Sequence, residues 1–247
     1  SNTGAFDGDH REATSLARFL EAAKKAGGEN HHFRVLELPF NLLEAGAHLE
    51  TNTGYEKSVL DLAADEQIAV LANRPLNAFR NDTLERLVDA PIVQHALMFE
   101  FARNQVAALE REFRDTLAPS LKVTGEAADA GDLFAWADHL ADIAERVQSY
   151  QQWRDLEERM LRPQIGRVLA AFDEAELGAV EPLWQSFRNR YIPALDQLLT
   201  SIRAEAAEIS RARDRRLHAA LDSALPENLR ALTLTQKALL VESSTRG

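Results

Sequence analysis

The chain contains no cysteine among its 247 residues. This absence excludes disulfide bonds, thiolate catalysis and cysteine-ligated zinc. The chain also lacks the run of about 18 apolar residues that a transmembrane helix requires. Its first ten residues show neither the basic region nor the apolar region of a signal peptide. We therefore expect a cytoplasmic protein that makes no use of a membrane.

Positive charge is scarce, because 28 basic residues stand against 39 acidic ones and the formal net charge is −11. Such a surface repels a phosphate backbone unless a local basic patch opposes it. The densest arginine segment, residues 203–216, is interleaved with Glu205, Glu208 and Asp214 and has no aromatic residue to stack on bases. This pattern indicates a solvated helix face, and we expect no nucleic-acid partner.

Motifs for phosphates and metals are also missing. The chain has neither a Walker-type loop nor a GxGxxG loop. Glu29 and His32 form a single Glu-x-x-His spacing next to two glycines, which supplies too few ligands for a metal and is typical of a polar turn. We assign no metal site.

Two short apolar runs, residues 33–44 and 68–79, flank a segment with a helical pattern, residues 55–66. Each run has only about five consecutive strand-like positions and reaches a proline, which favours buried parallel strands over helices. The order strand, helix, strand predicts a βαβ unit, and ligands commonly bind at the loops of such units.

From residue 81 onward apolar residues recur at steps of three and four, which predicts amphipathic helices packed in an antiparallel bundle. Pro193 lies inside the longest of these patterns and predicts a kink or a new helix start. The chain's three tryptophans, Trp136, Trp153 and Trp184, all lie on these apolar faces. Their spacing favours a buried bundle core, and the alternative interpretation is a lid over a substrate pocket.

Several short motifs occur in a familiar order. Ser1-Asn2 begins the chain, LELPFNLLE and LANRPLNAF lie on the predicted strands, and LTLTQKALLVESS occupies residues 232–244. In this order, and with about 35 residues between the first three motifs, they resemble the last third of an aldo-keto reductase barrel.

The resemblance implies an α/β fold combined with an all-α part: the C-terminal portion of a (β/α)8 TIM barrel with a helical-bundle insertion, mostly helical overall. It divides the chain into partial TIM-barrel βα units (residues 1–80), the helical-bundle insertion (residues 81–226) and the final barrel helix (residues 227–247). It further implies an oxidoreductase that transfers hydride between NADP(H) and a small-molecule carbonyl or alcohol substrate.

The same resemblance implies a cofactor site. Two departures from the family occur within it: Glu37 replaces a glutamine, so an amide that donates and accepts becomes a group that only accepts, and Asn73 replaces an aromatic ring that stacks on nicotinamide. Arg74 is the predicted phosphate partner. The full predicted cofactor-binding set is Ser1, Asn2, Glu37, Asn73, Arg74, Pro75, Leu76 and Asn77.

The family's catalytic Asp, Tyr, Lys and His come from the first half of the barrel, which has no counterpart here. The resemblance therefore implies a C-terminal fragment that is inactive alone. No catalytic residue is assigned to this chain, and NADP would be used only together with the upstream half. The alternative function is a helical-bundle module that binds a protein partner, carried on a degenerate, non-catalytic barrel platform. The departures at Glu37 and Asn73 favour this alternative.

Overall fold

The computed structural model describes residues 14–51, 53, 55–80, 83–120 and 133–244. Of the described residues, 67% lie in helices and 8% in strands, which confirms the mostly helical fold class, while the barrel assignment stays a prediction. The chain divides into two compact units, a first unit of residues 1–89 and 218–247 and a second unit of residues 90–217. The domain limits drawn from the sequence at residues 80 and 226 likewise stay a prediction. No helix in the described part of the chain is both long and apolar enough to cross a membrane.

The first unit contains a small amount of sheet and several short helices. Its elements are α1 (Leu16–Gly27), β1 (Val35–Pro39), α2 (Gly46–Leu49), α3 (Val59–Asp65), β2 (Ala69–Asn73), β3 (Asn77–Arg80), β4 (Thr83–Arg86), the end of α8 (Glu181–Ala224), α9 (Glu227–Arg230) and α10 (Leu234–Ser244).

The predicted βαβ unit is confirmed, because β1 and β2 pair in parallel, with α3 between them in the chain. Ser58 starts α3 by accepting a hydrogen bond at its hydroxyl from the Asp61 N–H group, at 3.1 Å. The expectation that both strands are fully buried is wrong. Apolar side chains of the helices pack with Leu36 and Leu38 in one core. On the opposite face of the sheet, Val35 is 51% exposed and Leu71 is 57% exposed.

The sequence pattern predicted that helical structure begins at residue 81, and this prediction is wrong. β3 and β4 pair antiparallel, with Asn77 opposite Arg86 and Phe79 opposite Leu84. Ala78 and Leu87 are buried, and the alternation of buried and exposed positions sustains a short hairpin here. The first helix after this hairpin begins at Phe99.

The second unit is helical throughout its described elements. They are α4 (Phe99–Glu112), which continues into a π-helical turn (Phe113–Leu117) and a 3₁₀ turn (Ala118–Ser120), α5 (Trp136–Ala144), α6 (Tyr150–Leu156), a second π-helical turn (Glu157–Leu161), α7 (Arg162–Asp173), a 3₁₀ turn (Gly178–Val180) and α8 as far as Leu217.

Helix α8 passes through Pro193 without interruption, so the predicted new helix start at this proline is wrong, while the alternative, a kink, stays a prediction. Proline removes the hydrogen bond to the carbonyl group four residues earlier, that of Asn189. Both Pro193 and Asn189 lie on the exposed side of the helix, where water can satisfy that carbonyl.

Aromatic side chains form the centre of the second unit. Phe134 lies with its ring centroid 4.4 Å from that of Phe113 and 5.3 Å from those of Phe187 and Tyr191. Phe172 and Trp184 stack on each other at 4.8 Å in the same cluster. All three tryptophans, Trp136, Trp153 and Trp184, are buried, which confirms the core interpretation of these residues.

Candidate functional site

The carboxyl ends of β1 and β2 lie side by side, because the parallel register places Pro39 opposite Asn73. The chain leaves both strands at this edge and turns back at once. After β2 it makes a tight turn closed by the Asn77 N–H group on the Arg74 carbonyl oxygen, at 3.1 Å. Pro75 and Leu76 are the central residues of this turn, and Arg74 enters it with a φ of 56°. Loops at the carboxyl ends of parallel strands are where α/β proteins commonly place ligands.

Asn41 holds these loops together. Its side-chain oxygen accepts the N–H groups of Leu43 and Glu44, at 3.0 and 2.9 Å, in an Asx-type turn after β1. Its side-chain nitrogen lies 3.2 Å from the carbonyl oxygens of both Arg74 and Asn77. The side chain is buried, so these bonds satisfy groups that water does not reach.

The positively charged side chain of Arg74 lies at the same edge. The Arg74 guanidinium donates to Glu44 Oε1 at 2.8 Å, and its Cζ atom lies 4.8 Å from the centre of the Phe79 ring. The other oxygen of Glu44 accepts from Asn41 at 2.7 Å and from the Phe79 N–H group at 3.3 Å. Arg74 is therefore fixed by a charge-assisted hydrogen bond and by a cation–π contact, and a third of its side chain remains exposed.

Glu37 and Asn73 form a separate pair across the two strands. The Asn73 side-chain nitrogen donates to Glu37 Oε1 at 3.0 Å. The Asn73 side-chain oxygen is buried and has no hydrogen-bond partner among the residues that the structure describes. An orphaned acceptor costs free energy, and a ligand donor would recover it.

The structure thus brings together most of the site residues predicted from the sequence. Glu37 pairs with Asn73, Arg74 and Asn77 both meet Asn41, and Asn77 also accepts from Arg86 at 3.1 Å. Ser1 and Asn2 lie outside the described residues. Sequence reasoning missed Asn41 and Glu44, although a polar residue directly after an apolar strand was a signal for Asn41.

A second set of charged side chains lies elsewhere in the first unit. Lys237 is buried, and its ammonium donates to Asp222 at 2.6 Å and to His218 Nδ1 at 3.1 Å. The other ring nitrogen of His218 lies 3.3 Å from Asp89. Because a lysine ammonium can only donate, Nδ1 of His218 acts as the acceptor and its Nε2–H group donates to Asp89.

Asp89 in turn caps helix α10. It accepts the N–H groups of Leu234 and Thr235, each at 3.2 Å, and the Thr235 hydroxyl at 3.0 Å. Partial burial raises the pKa of Asp89, but the hydrogen bonds from Thr235, Leu234 and His218 together outweigh it and hold the pKa at about 2. Sequence reasoning missed this set, because its members are far apart in the chain. Its role in this geometry is to fasten α10.

The second unit buries three carboxylates with structural partners, those of Glu110, Glu157 and Asp214. Glu110 accepts the N–H groups of Trp136 and Ala137, at 2.7 and 3.2 Å, and so caps α5 from another helix. Burial raises the pKa of Glu110 despite these bonds and the one from the Tyr191 hydroxyl. Burial also raises the pKa of Tyr191 well above its ordinary range.

Glu157 is another of these buried carboxylates. It lies between Arg162 and Arg203 and accepts hydrogen bonds from both guanidinium groups. The Nε atoms of Arg162 and Arg203 lie 2.9 and 3.1 Å from its oxygens. These contacts fix the π-helical turn against α8. Within the described residues, no group of three or more His, Asp or Glu side chains is arranged to hold a metal ion.

Comparison of the chain with protein-family models, with curated proteins and with solved structures found no match.

Proposed function

We propose that this chain is part of an aldo-keto reductase-like oxidoreductase and that the strand-end residues of the first unit hold NADP(H). The observation that carries this proposal is the convergence of Glu37, Asn73 and Arg74 on the carboxyl edge of two parallel strands. The reaction would be hydride transfer between the nicotinamide cofactor and the carbonyl carbon of a small substrate, and the cofactor supplies the hydride when it is bound.

The side chains at this edge fit parts of such a cofactor. A nicotinamide carboxamide offers N–H donors, and both the Glu37 carboxylate and the unpartnered Asn73 oxygen are acceptors. Arg74 supplies the positive charge that a phosphate requires. Its bond to Glu44 would then be exchanged for one to the phosphate, which carries more negative charge than a carboxylate.

The chemical step needs groups outside this set. The family resemblance assigns the acid and its partners, Asp, Tyr, Lys and His, to barrel strands that the matched motifs do not include. We therefore expect this chain to bind the cofactor weakly and to reduce no carbonyl compound by itself.

The experiment is a calorimetric titration of the full chain with NADP+, repeated for Arg74→Ala and for Arg18→Ala. Arg18 is an exposed arginine on α1 of the same unit, so its removal changes the net charge equally. We expect Arg74→Ala to weaken binding by about tenfold or more, the effect of losing a charge-assisted hydrogen bond, and Arg18→Ala to leave it unchanged. Equal effects of the two substitutions, or no binding to the unsubstituted chain, would reject the cofactor site.

A second candidate function is a helical module that binds a protein partner on a non-catalytic platform. It is favoured by the mutual pairing of Asn41, Glu44 and Arg74, which satisfies these groups without any ligand. It is favoured also by the separate apolar core of the second unit. This candidate predicts a cooperative thermal transition for isolated residues 81–226 without cofactor, and a non-cooperative melt would count against it.

A further inference from the structure

The second unit contains an open pocket with a volume of about 310 Å³. Its lining comes from the start of α5 and the residues before it, and from α7: Leu133, Ala135, Trp136, His139, Gln164 and Val168. A closed apolar cavity of about 150 Å³ is already large enough to bind benzene. The pocket therefore has room for a molecule of one or two rings, and it lies entirely within one unit.

One wall of the pocket is aromatic. The rings of Trp136 and His139 meet edge to face, with centroids 5.7 Å apart and planes inclined by 71°. Such a pair offers a ring edge and a ring face to a further aromatic group. Leu133 and Val168 contribute aliphatic surface, and the lining as a whole is about equally polar and apolar.

Two side chains of the lining, His139 and Gln164, have unused hydrogen-bonding capacity. Both are exposed, and neither side chain bonds to any residue in the described part of the chain. Their polar neighbours are already engaged: Glu110 takes the N–H groups of Trp136 and Ala137, and Asp138 accepts from Arg103 at 2.9 Å. Apolar walls with a few convergent polar groups are the usual composition of a small-molecule site.

The charge around the pocket restricts the ligand further. Among the described residues that line the pocket there is no Asp, Glu, Lys or Arg, so a charged ligand would lose water without gaining an ion pair from them. Asp138, on the same helix as Trp136 and His139, is paired with Arg103 at 2.9 Å and so offers no free charge to a ligand.

We propose that this pocket binds a small uncharged aromatic molecule of one or two rings that carries one hydrogen-bonding group, such as a phenol or an aromatic amide. The ring lies against Trp136 and Val168, and the polar group bonds to His139 or Gln164. This site belongs to the second unit and does not depend on the cofactor site proposed for the first.

Saturation-transfer NMR on the full chain tests the proposal, with benzamide and phenol as neutral probes and with benzoate and benzylamine as charged ones. We expect the neutral probes to bind with dissociation constants on the order of a millimolar, the range for ligands of this size. The charged probes should bind more weakly. Absence of saturation transfer to the neutral probes, or equal binding of the charged ones, would overturn the proposal.

The substitution Val168→Trp, which fills the pocket, should weaken benzamide binding by about tenfold or more. Its control is Val93→Trp, at a half-buried valine of the same unit outside the pocket, which should leave binding unchanged. Equal affinities of the Val168→Trp and unsubstituted chains would show that the probe binds elsewhere.

Should Val168→Trp fail to fold, Gln164→Leu and His139→Leu serve instead, since both alter exposed side chains. At least one of them should weaken benzamide binding by about threefold to tenfold, the effect of one lost hydrogen bond, while toluene binding stays the same. Unchanged benzamide binding in both variants would overturn the proposal.

Discussion

The two units of this protein place the charged side chains described above in different settings. In the second unit, the carboxylates of Glu110 and Glu157 are each surrounded by fixed donors, and these contacts join one helix to another. In the first unit, the strand ends gather the Arg74 guanidinium, a third of whose side chain is exposed, and the buried Asn73 oxygen, which has no partner among the described residues. A polar group whose partners are all in place holds a fold together, whereas spare capacity at a sheet edge remains for a ligand.

The apolar cores of the two units also differ, in the size of the side chains that they bury. The second unit packs five aromatic rings around Phe134, a group with a large buried area and several favourable ring pairs. The first unit packs smaller side chains on one side of its parallel sheet and leaves the other side open at Val35 and Leu71. The contrast assigns stability chiefly to the second unit and ligand chemistry chiefly to the first.

The largest expected effect is on the aromatic core. Phe134→Ala removes a fully buried ring and should lower the free energy of unfolding by about 4 kcal/mol. Phe101→Ala, at a 55% exposed position of the same unit, should cost less than about 1 kcal/mol. Residue-resolved hydrogen exchange measures both, and similar losses of protection in the two variants would remove the assigned role of the core.

A smaller loss is expected at the strand-end network. Asn41→Ala leaves the carbonyl groups of Arg74 and Asn77 without their buried donor and should cost about 2 kcal/mol. Asn30→Ala, at an exposed asparagine of the same unit, should change stability by less than about 0.5 kcal/mol. Urea unfolding of the two variants gives the comparison, and a neutral Asn41→Ala would mean that this network does not order the loops.

The smallest expected effect on stability is the loss of the Asp89 contribution at low pH. The pKa of Asp89 falls from 3.8 to about 2 on folding, so its stabilisation is complete above pH 3.8 and is lost as the pH falls through 2. Because its side chain is 40% exposed, solvent screening reduces the contribution to about 1 kcal/mol. Asp89→Asn should therefore be less stable than the unsubstituted chain at pH 7 and should approach it near pH 2. If the two chains differed in stability by the same amount at pH 7 and at pH 2, the role of the Asp89 carboxylate as a cap of α10 would be contradicted.

Some of this structure follows from local patterns in the sequence. The βαβ unit and the helical faces were predicted because the periodicity of apolar residues reports directly on strands and helices. The hairpin of β3 and β4 was missed because strands of only four residues show too little alternation and no Asn-Gly or Asp-Gly dipeptide separates them. Of the two outcomes predicted at Pro193, the new helix start was wrong, because the proline lies on the exposed side of a continuous helix.

The site was predictable only in part, for a related reason. Glu37, Asn73, Arg74 and Asn77 were identified through a family resemblance, and the structure places them at one edge. The role of Asn41 depends on carbonyl groups more than 30 residues away in the chain, and no local pattern encodes such a contact.

The central claim is that the strand-end residues of the first unit form a site for NADP(H). The most direct test is a titration of the isotopically labelled full chain with NADP+, followed residue by residue by NMR. We predict shift changes at Glu37, Asn41 and residues 73–77, with the aromatic core of the second unit unaffected. An unchanged spectrum at millimolar cofactor, or changes confined to the second unit, would contradict the claim.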